Sequence, residues 1–207
     1  ARDAGIRTIV NLNDKPDVSD VRGLKLVHVP MSAFKTADED DPQLAKALAA
    51  IQHGLAHGPT LVHCQHGKDR TGGIVAVWRI LYQGWSKEAA IREMTRTTLE
   101  TFGYHVLTAD NGATALGNFV THRAEIRAVL MDLMMPVMDG MMTIRAIRKL
   151  APHMPAIATT GLADPAKNTE LEQLGVRHLL LKPYNAEALL KTIANVLQEN
   201  PLNPVSL

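Results

Sequence analysis

Short apolar runs of four or five residues alternate along the chain with longer stretches whose apolar positions recur at helical spacing. Thr8–Leu12, Lys25–Val29 and Thr60–His63 are rich in β-branched and long aliphatic residues and are bounded by Gly, Pro, Asn or Asp, so they read as strands. Between the second and third, Leu44, Leu48, Ile51 and Leu55 share one helical face, and Asp41-Pro42 offers a cap and a first-turn proline. That helix is expected to stop near Gly58-Pro59. A second helix carries Ile74, Val77, Trp78 and Leu81 and ends around Gly84. Ser86 then caps a third, in which Ile91, Met94, Thr98, Leu99 and Phe102 keep helical spacing across residues 86–103. Further on, Ala156–Thr160 and Leu179–Leu181 read as strands again. Strands alternating with helices imply α/β architecture with parallel sheets and crossover helices.

Composition narrows this picture only a little. The 207 residues, 46% hydrophobic, suffice for one large α/β domain or two small ones. A net charge of +1 gives no electrostatic reason to expect nucleic acid. No apolar run reaches membrane-spanning length. The single cysteine excludes an internal disulfide and suits a reducing, cytoplasmic compartment. The first residues read as the tail of a helix, which leads us to expect further residues upstream, and a charged-then-apolar leader is not expected.

Chemistry concentrates first in Val62-His63-Cys64-Gln65-His66-Gly67-Lys68-Asp69-Arg70-Thr71-Gly72, where a cysteine and an arginine flank five residues between a strand and a helix. A loop entering a helix turns successive N–H groups toward one point, and the positive end of the helix dipole favours an anion there. The thiolate is the nucleophilic form of cysteine, and a helix N-terminus beside cations favours it. Arg70 would grip two phosphoryl oxygens with its planar fork, while the backbone from Gln65 through His66, Gly67, Lys68 and Asp69 to Arg70 lines the cradle. Thr71 is placed to donate its hydroxyl to the Cys64 sulfur. His63 fits an orienting role. A lone cysteine at a strand end is more often buried core, and the polar flanks argue against that here.

These residues resemble the signature H-C-x5-R-T of cysteine-dependent tyrosine and dual-specificity phosphatases. The resemblance implies hydrolysis of phosphomonoesters through a phosphocysteine, without a cofactor, on a phosphorylated protein or a phosphoinositide. It also implies an aspartate that protonates the leaving oxygen. Asp38, Asp40 and Asp41 lie where a mobile acid-bearing loop is expected, although Asp41 is equally a helix cap, and Asp69 within the loop is the rival.

From Thr98 the chain changes character. Met131-Asp132-Leu133-Met134-Met135-Pro136-Val137-Met138-Asp139-Gly140, then Thr160-Gly161, then Lys182-Pro183 occur in that order. The pattern resembles the receiver domain of response regulators, a flavodoxin-like α/β fold. The resemblance implies that Asp132 is the phosphoacceptor, Thr160 the hydroxyl that closes on the phosphoryl group and Lys182 its ammonium partner, with a histidine kinase as the donor. Methionines in this stretch read as packing rather than metal ligands. Two departures stand out. The first receiver strand with its Mg2+-holding acidic pair should precede residues 103–104 by one helix, yet Tyr82–Lys87 carries no acidic pair. Mg2+ and phosphorylation at Asp132 are therefore not expected. The aromatic position before the lysine is Leu179.

The reading is a chimera: a truncated phosphatase-like lobe over 1–96 and, from 97 to 207, a partial receiver-like lobe spliced through a shared helix. The missing strand should leave unpaired edges. Either Thr60–His63 fills the vacancy in a hybrid sheet, or the two halves keep separate sheets. The second arrangement is the expected one.

Overall fold

The computed structural model describes residues 4–16, 23–31, 41–65, 69–162 and 164–200. The chain divides into two compact units, Ala1–His105 and Val106–Leu207.

In the first unit, strands β1 (Thr8–Asn11), β2 (Lys25–His28) and β3 (Thr60–His63) form a parallel sheet of order β2-β1-β3. β1 lies in the middle and every one of its residues is buried, which is why it reads as a continuous run rather than an alternation. Asn11 stands opposite His28 on one side and His63 on the other, so the loops leaving β1 and β3 emerge side by side. Helix α1 (Pro42–His57) begins as its sequence requires: the Asp41 carboxylate accepts the Gln43 N–H at 2.8 Å, with Pro42 in the first turn. Its buried positions Leu44, Ala47, Leu48 and Ile51 join Val10, Leu12, Val29, Met31, Cys64 and Ile74 in one core. Helix α2 (Arg70–Gln83) ends at Gly84, whose φ of 68° is the left-handed conformation glycine adopts without strain. Ser86 then accepts the Ala89 N–H at 3.1 Å and opens α3 (Lys87–Thr101), the helix anticipated across residues 86–103. α2 and α3 pack together, bridged by Arg79–Glu93 at 3.2 Å.

The second unit contains α4 (Gly112–Thr121), β4 (Val129–Asp132), α5 (Gly140–Leu150), β5 (Ala156–Thr160), α6 (Pro165–Gln173), β6 (His178–Leu181) and α7 (Ala186–Glu199). Its parallel sheet has the order β4-β5-β6, with β5 buried throughout. Phe119, Met131, Leu133, Ile144, Ile147 and Ala158 anchor its core, so Met131 and also Met141 serve as packing.

The hybrid sheet raised as an alternative does not form. β3 pairs with β1, and among the described residues the two sheets share no ladder. Tyr104–Ala109, which follows α3, has no regular structure. Among the described residues β4 pairs only with β5, so its other side is the sheet's edge.

Candidate active site and receiver site

β3 delivers Cys64 directly after its last residue, and α2 starts on Arg70, so the two ends of the cysteine–arginine loop sit on a strand end and a helix start. Against the expectation from its polar flanks, Cys64 is buried at 9% exposure and belongs to the core that Leu12 and Ile74 also build, because it directly follows β3, whose neighbour β1 is buried throughout. Asp69 occupies the cap position of α2 without a side-chain capping bond. Gln65 is exposed in the bend that follows Cys64. His66, Gly67 and Lys68 lie outside the described residues, as do Asp38 and Asp40. Asp41 is described, and one of its carboxylate oxygens is taken up in capping α1.

Arg70 reaches across to the loop after β1. Its Nη1 donates to the Leu12 carbonyl at 3.2 Å and its Nη2 to Asp14 Oδ2 at 3.3 Å. Asp14 did not figure among the sequence candidates. The available signal was the polar turn Asn11-Leu12-Asn13-Asp14 at the end of a buried strand, beside the strand that carries the cysteine.

Thr71 is placed differently from the expectation. Among the described residues its buried Oγ1 has no hydrogen-bond partner, so the anticipated donation to the Cys64 sulfur is not made. The residue instead lines a cavity of about 260 Å³ between α2 and α3, together with Gly72, Arg79, Glu93, Met94 and Thr98. Helical periodicity accounts for this, since Thr71 shares a face with Val75 and Ala76 on the side of α2 that meets α3. Glu93 in that cavity wall is held below the usual carboxylate range by its hydrogen bond to Arg96 and then by Arg79, against an opposing effect of burial.

The second unit gathers its three candidates at the C-terminal edge of its sheet. Asp132 ends β4, Thr160 ends β5 and Lys182 follows β6. The Lys182 ammonium pairs with Asp132 Oδ2, while Asp132 Oδ1 accepts the Met134 N–H at 3.0 Å. Thr160 lies close by, its carbonyl accepting the Lys182 N–H at 2.8 Å. Its hydroxyl is turned into its own loop, however, donating to the Leu162 carbonyl at 3.1 Å and accepting the Leu162 N–H at 3.2 Å. Around Asp132 the described residues offer one carboxylate, paired with the Lys182 ammonium, and among them no three His, Cys, Asp or Glu side chains converge, fewer hard oxygen ligands than Mg2+ ordinarily takes from a protein and its waters.

Residues 87–194 match the family described as the response regulator receiver domain. The chain belongs to the response-regulator receiver family. Residues 1–84 match a second family, described as a polymorphic toxin system DSP-PTPase phosphatase. A phosphatase-family region is thus joined to a receiver domain, and the junction between the two matches falls at the start of α3. The dual specificity protein phosphatase TpbA of Pseudomonas aeruginosa is 40% identical over 73 residues, which are 35% of this chain and 32% of that protein. On the receiver side, the probable transcriptional regulator ycf27 of Guillardia theta is 36% identical over 111 residues, 54% of this chain and 42% of that protein. The chain therefore spans well under half the length of either relative. The crystal structure of a receiver domain protein from Clostridium thermocellum superposes with a TM-score of 0.51 at 32% identity, covering 54% of this chain and 88% of that one. Among the described residues of this receiver-family chain, no helix is long and apolar enough to cross a membrane.

Proposed function

We propose that the chain is a phosphomonoester hydrolase that works through a phosphocysteine at Cys64. The observation that carries this reading is the placement of Cys64 and Arg70 at the two ends of one strand-to-helix loop, inside the region that matches a phosphatase family. The Cys64 thiolate attacks phosphorus, the P–O ester bond breaks, and the leaving oxygen takes a proton from an aspartic acid. Water then attacks phosphorus, the P–S bond breaks, and inorganic phosphate leaves. Backbone N–H groups from Gln65 to Arg70 and the Arg70 guanidinium would hold the three oxygens, and such preorganised donors supply most of the rate in chemistry of this kind. The chemistry requires no metal. Basic His66 and Lys68 suit a phosphorylated protein or a phosphoinositide equally.

Hydrolysis of para-nitrophenyl phosphate in the presence of a chelator tests this directly. Turnover is expected from the unmodified chain and none from Cys64→Ser; equal rates from the two would overturn the reading. The acid is assigned by the same assay. Asp41→Asn retains a good helix cap and is expected to leave kcat unchanged, whereas the Asn variant of the true donor among Asp38, Asp40 and Asp69 should lower kcat on the order of 100-fold.

The receiver half supports a narrower proposal. With no acidic pair beside Asp132, the domain serves as a docking module for a signalling partner, a histidine kinase being the class its family implies, rather than as a phosphoacceptor. Acetyl phosphate with Mg2+ should leave Asp132 unlabelled.

A further inference from the structure

Asn11 ends the central strand of the first sheet and is 2% exposed. A buried amide must satisfy its polar atoms, and this one does so by folding the chain that follows it. Its Oδ1 accepts the Asn13 N–H at 2.7 Å and its Nδ2 donates to the Lys15 carbonyl at 3.3 Å. From the end of β2, His28 Nε2 sits 2.8 Å from the Asn13 carbonyl. The Leu12 carbonyl is fixed as well, since it takes the Met31 N–H at 3.3 Å. The turn is therefore held by bonds that do not involve Arg70, and it presents two acceptors to that side chain: the Leu12 carbonyl and the Asp14 carboxylate.

We propose that Asp14 is a positioning residue that, with the Leu12 carbonyl, fixes the plane of the Arg70 guanidinium for the bound phosphoryl group. The inference rests on the phosphocysteine reading of Cys64 and Arg70. A guanidinium is a rigid fork with five N–H donors, and engaging one N–H on each Nη defines its plane while leaving Nε–H and a second N–H on each Nη for an oxyanion. The Arg70 side chain is 18% exposed, so the contact holds a largely enclosed cation, whereas the Asp14 side chain is 73% exposed and contributes little to the core. β1 and β3 are adjacent, with Asn11 opposite His63, and the Leu12 N–H donates to the His63 carbonyl at 2.9 Å. The turn that holds Arg70 is in this way anchored to the strand that delivers Cys64.

The test compares the full chain with Asp14→Asn, Asp14→Ala and Asp14→Glu, measuring para-nitrophenyl phosphate turnover, calorimetric binding of inorganic tungstate as an oxyanion probe, and thermal midpoint. Misplacing a positioned group costs on the order of 10-fold to 100-fold, so Asp14→Ala and Asp14→Asn are expected to lower kcat/KM and weaken tungstate binding by about that factor. The thermal midpoint should stay put, and Asp14→Glu should recover most of the loss. If the unmodified chain turns over and the Asn and Ala variants match it, or bind tungstate more tightly, the positioning role is overturned while the hydrolase reading stands. Should the unmodified chain neither turn over nor bind tungstate, the hydrolase reading fails and takes this role with it. Tungstate binding without turnover leaves the binding comparison to decide for or against Asp14.

Discussion

Gly140, the first residue of α5, illustrates how single positions set the receiver edge. A Cβ added there would come within 2.2 Å of the Asp132 carbonyl oxygen and 2.8 Å of Leu133 Cα, both backbone atoms that cannot swing aside. Gly140→Ala is therefore expected to cost about 3 kcal/mol or more and to displace the end of β4, read as a fall in the denaturation midpoint. The same glycine closes the D-x-x-M-P-x-M-D-G motif, so its sequence signal has a steric cause. Asp139 beside it caps α5 by accepting the Met142 N–H at 2.7 Å. Asp41 shows the same chemistry at α1, where the cap and the acid were rival readings and one oxygen is now accounted for. Side-chain direction was harder to read. Nothing in the order Arg70-Thr71-Gly72 tells which way the threonine hydroxyl turns, because that depends on where α3 packs against α2.

At the scale of elements, α3 is the informative helix. Its apolar spacing and its Ser86 cap were legible before any coordinates, and Thr98 and Leu99 are buried as that spacing requires, while Phe102 at the C-terminal cap stays 47% exposed. One ion pair ties it to α2, Glu93 meeting Arg79 at 3.2 Å, and within α3 Glu93 also meets Arg96 at 2.9 Å. Because the hydrogen bond from Arg96, and then Arg79, holds Glu93 below the ordinary glutamate range, its contribution to stability is present above that range. The contribution is lost as pH falls through the lowered value. Glu93→Gln should accordingly destabilise by about 0.5–1 kcal/mol at pH 7 and by nothing once the carboxylate is protonated in both states. Urea midpoints of the two proteins across the acid range check this; a difference that persisted at low pH would count against it. β4 makes the complementary point. Its outer edge was expected from the absent strand, and among the described residues β4 pairs only with β5.

Among the described residues, the main hydrophobic clusters of the two units have no residue in common. Ile74 in the first unit and Ile157 in the second are both completely buried, so replacing either by Ala should cost about 2–5 kcal/mol. Each loss is expected to appear in its own unit. Hydrogen exchange should show Ile74→Ala lowering protection in β1, β3 and α1, and Ile157→Ala lowering it in β4, β5 and β6. Equal loss of protection in both sheets from either substitution would contradict separate cores. The contact boundary at His105–Val106 lies beyond the splice expected near residue 96, because α3 packs on α2 even though its sequence matches the receiver family from residue 87.

Local sequence by itself determined the strand Thr60–His63, the caps at Asp41 and Ser86, and the order of both signatures, since each rests on a few neighbouring residues and the periodicity of backbone hydrogen bonding. Tertiary structure alone decided which strands pair, that Arg70 is held by Leu12 and Asp14, and that Thr160 turns its hydroxyl away from Asp132. Those outcomes depend on groups far apart in the chain meeting in space, and no local pattern of side chains encodes such a meeting.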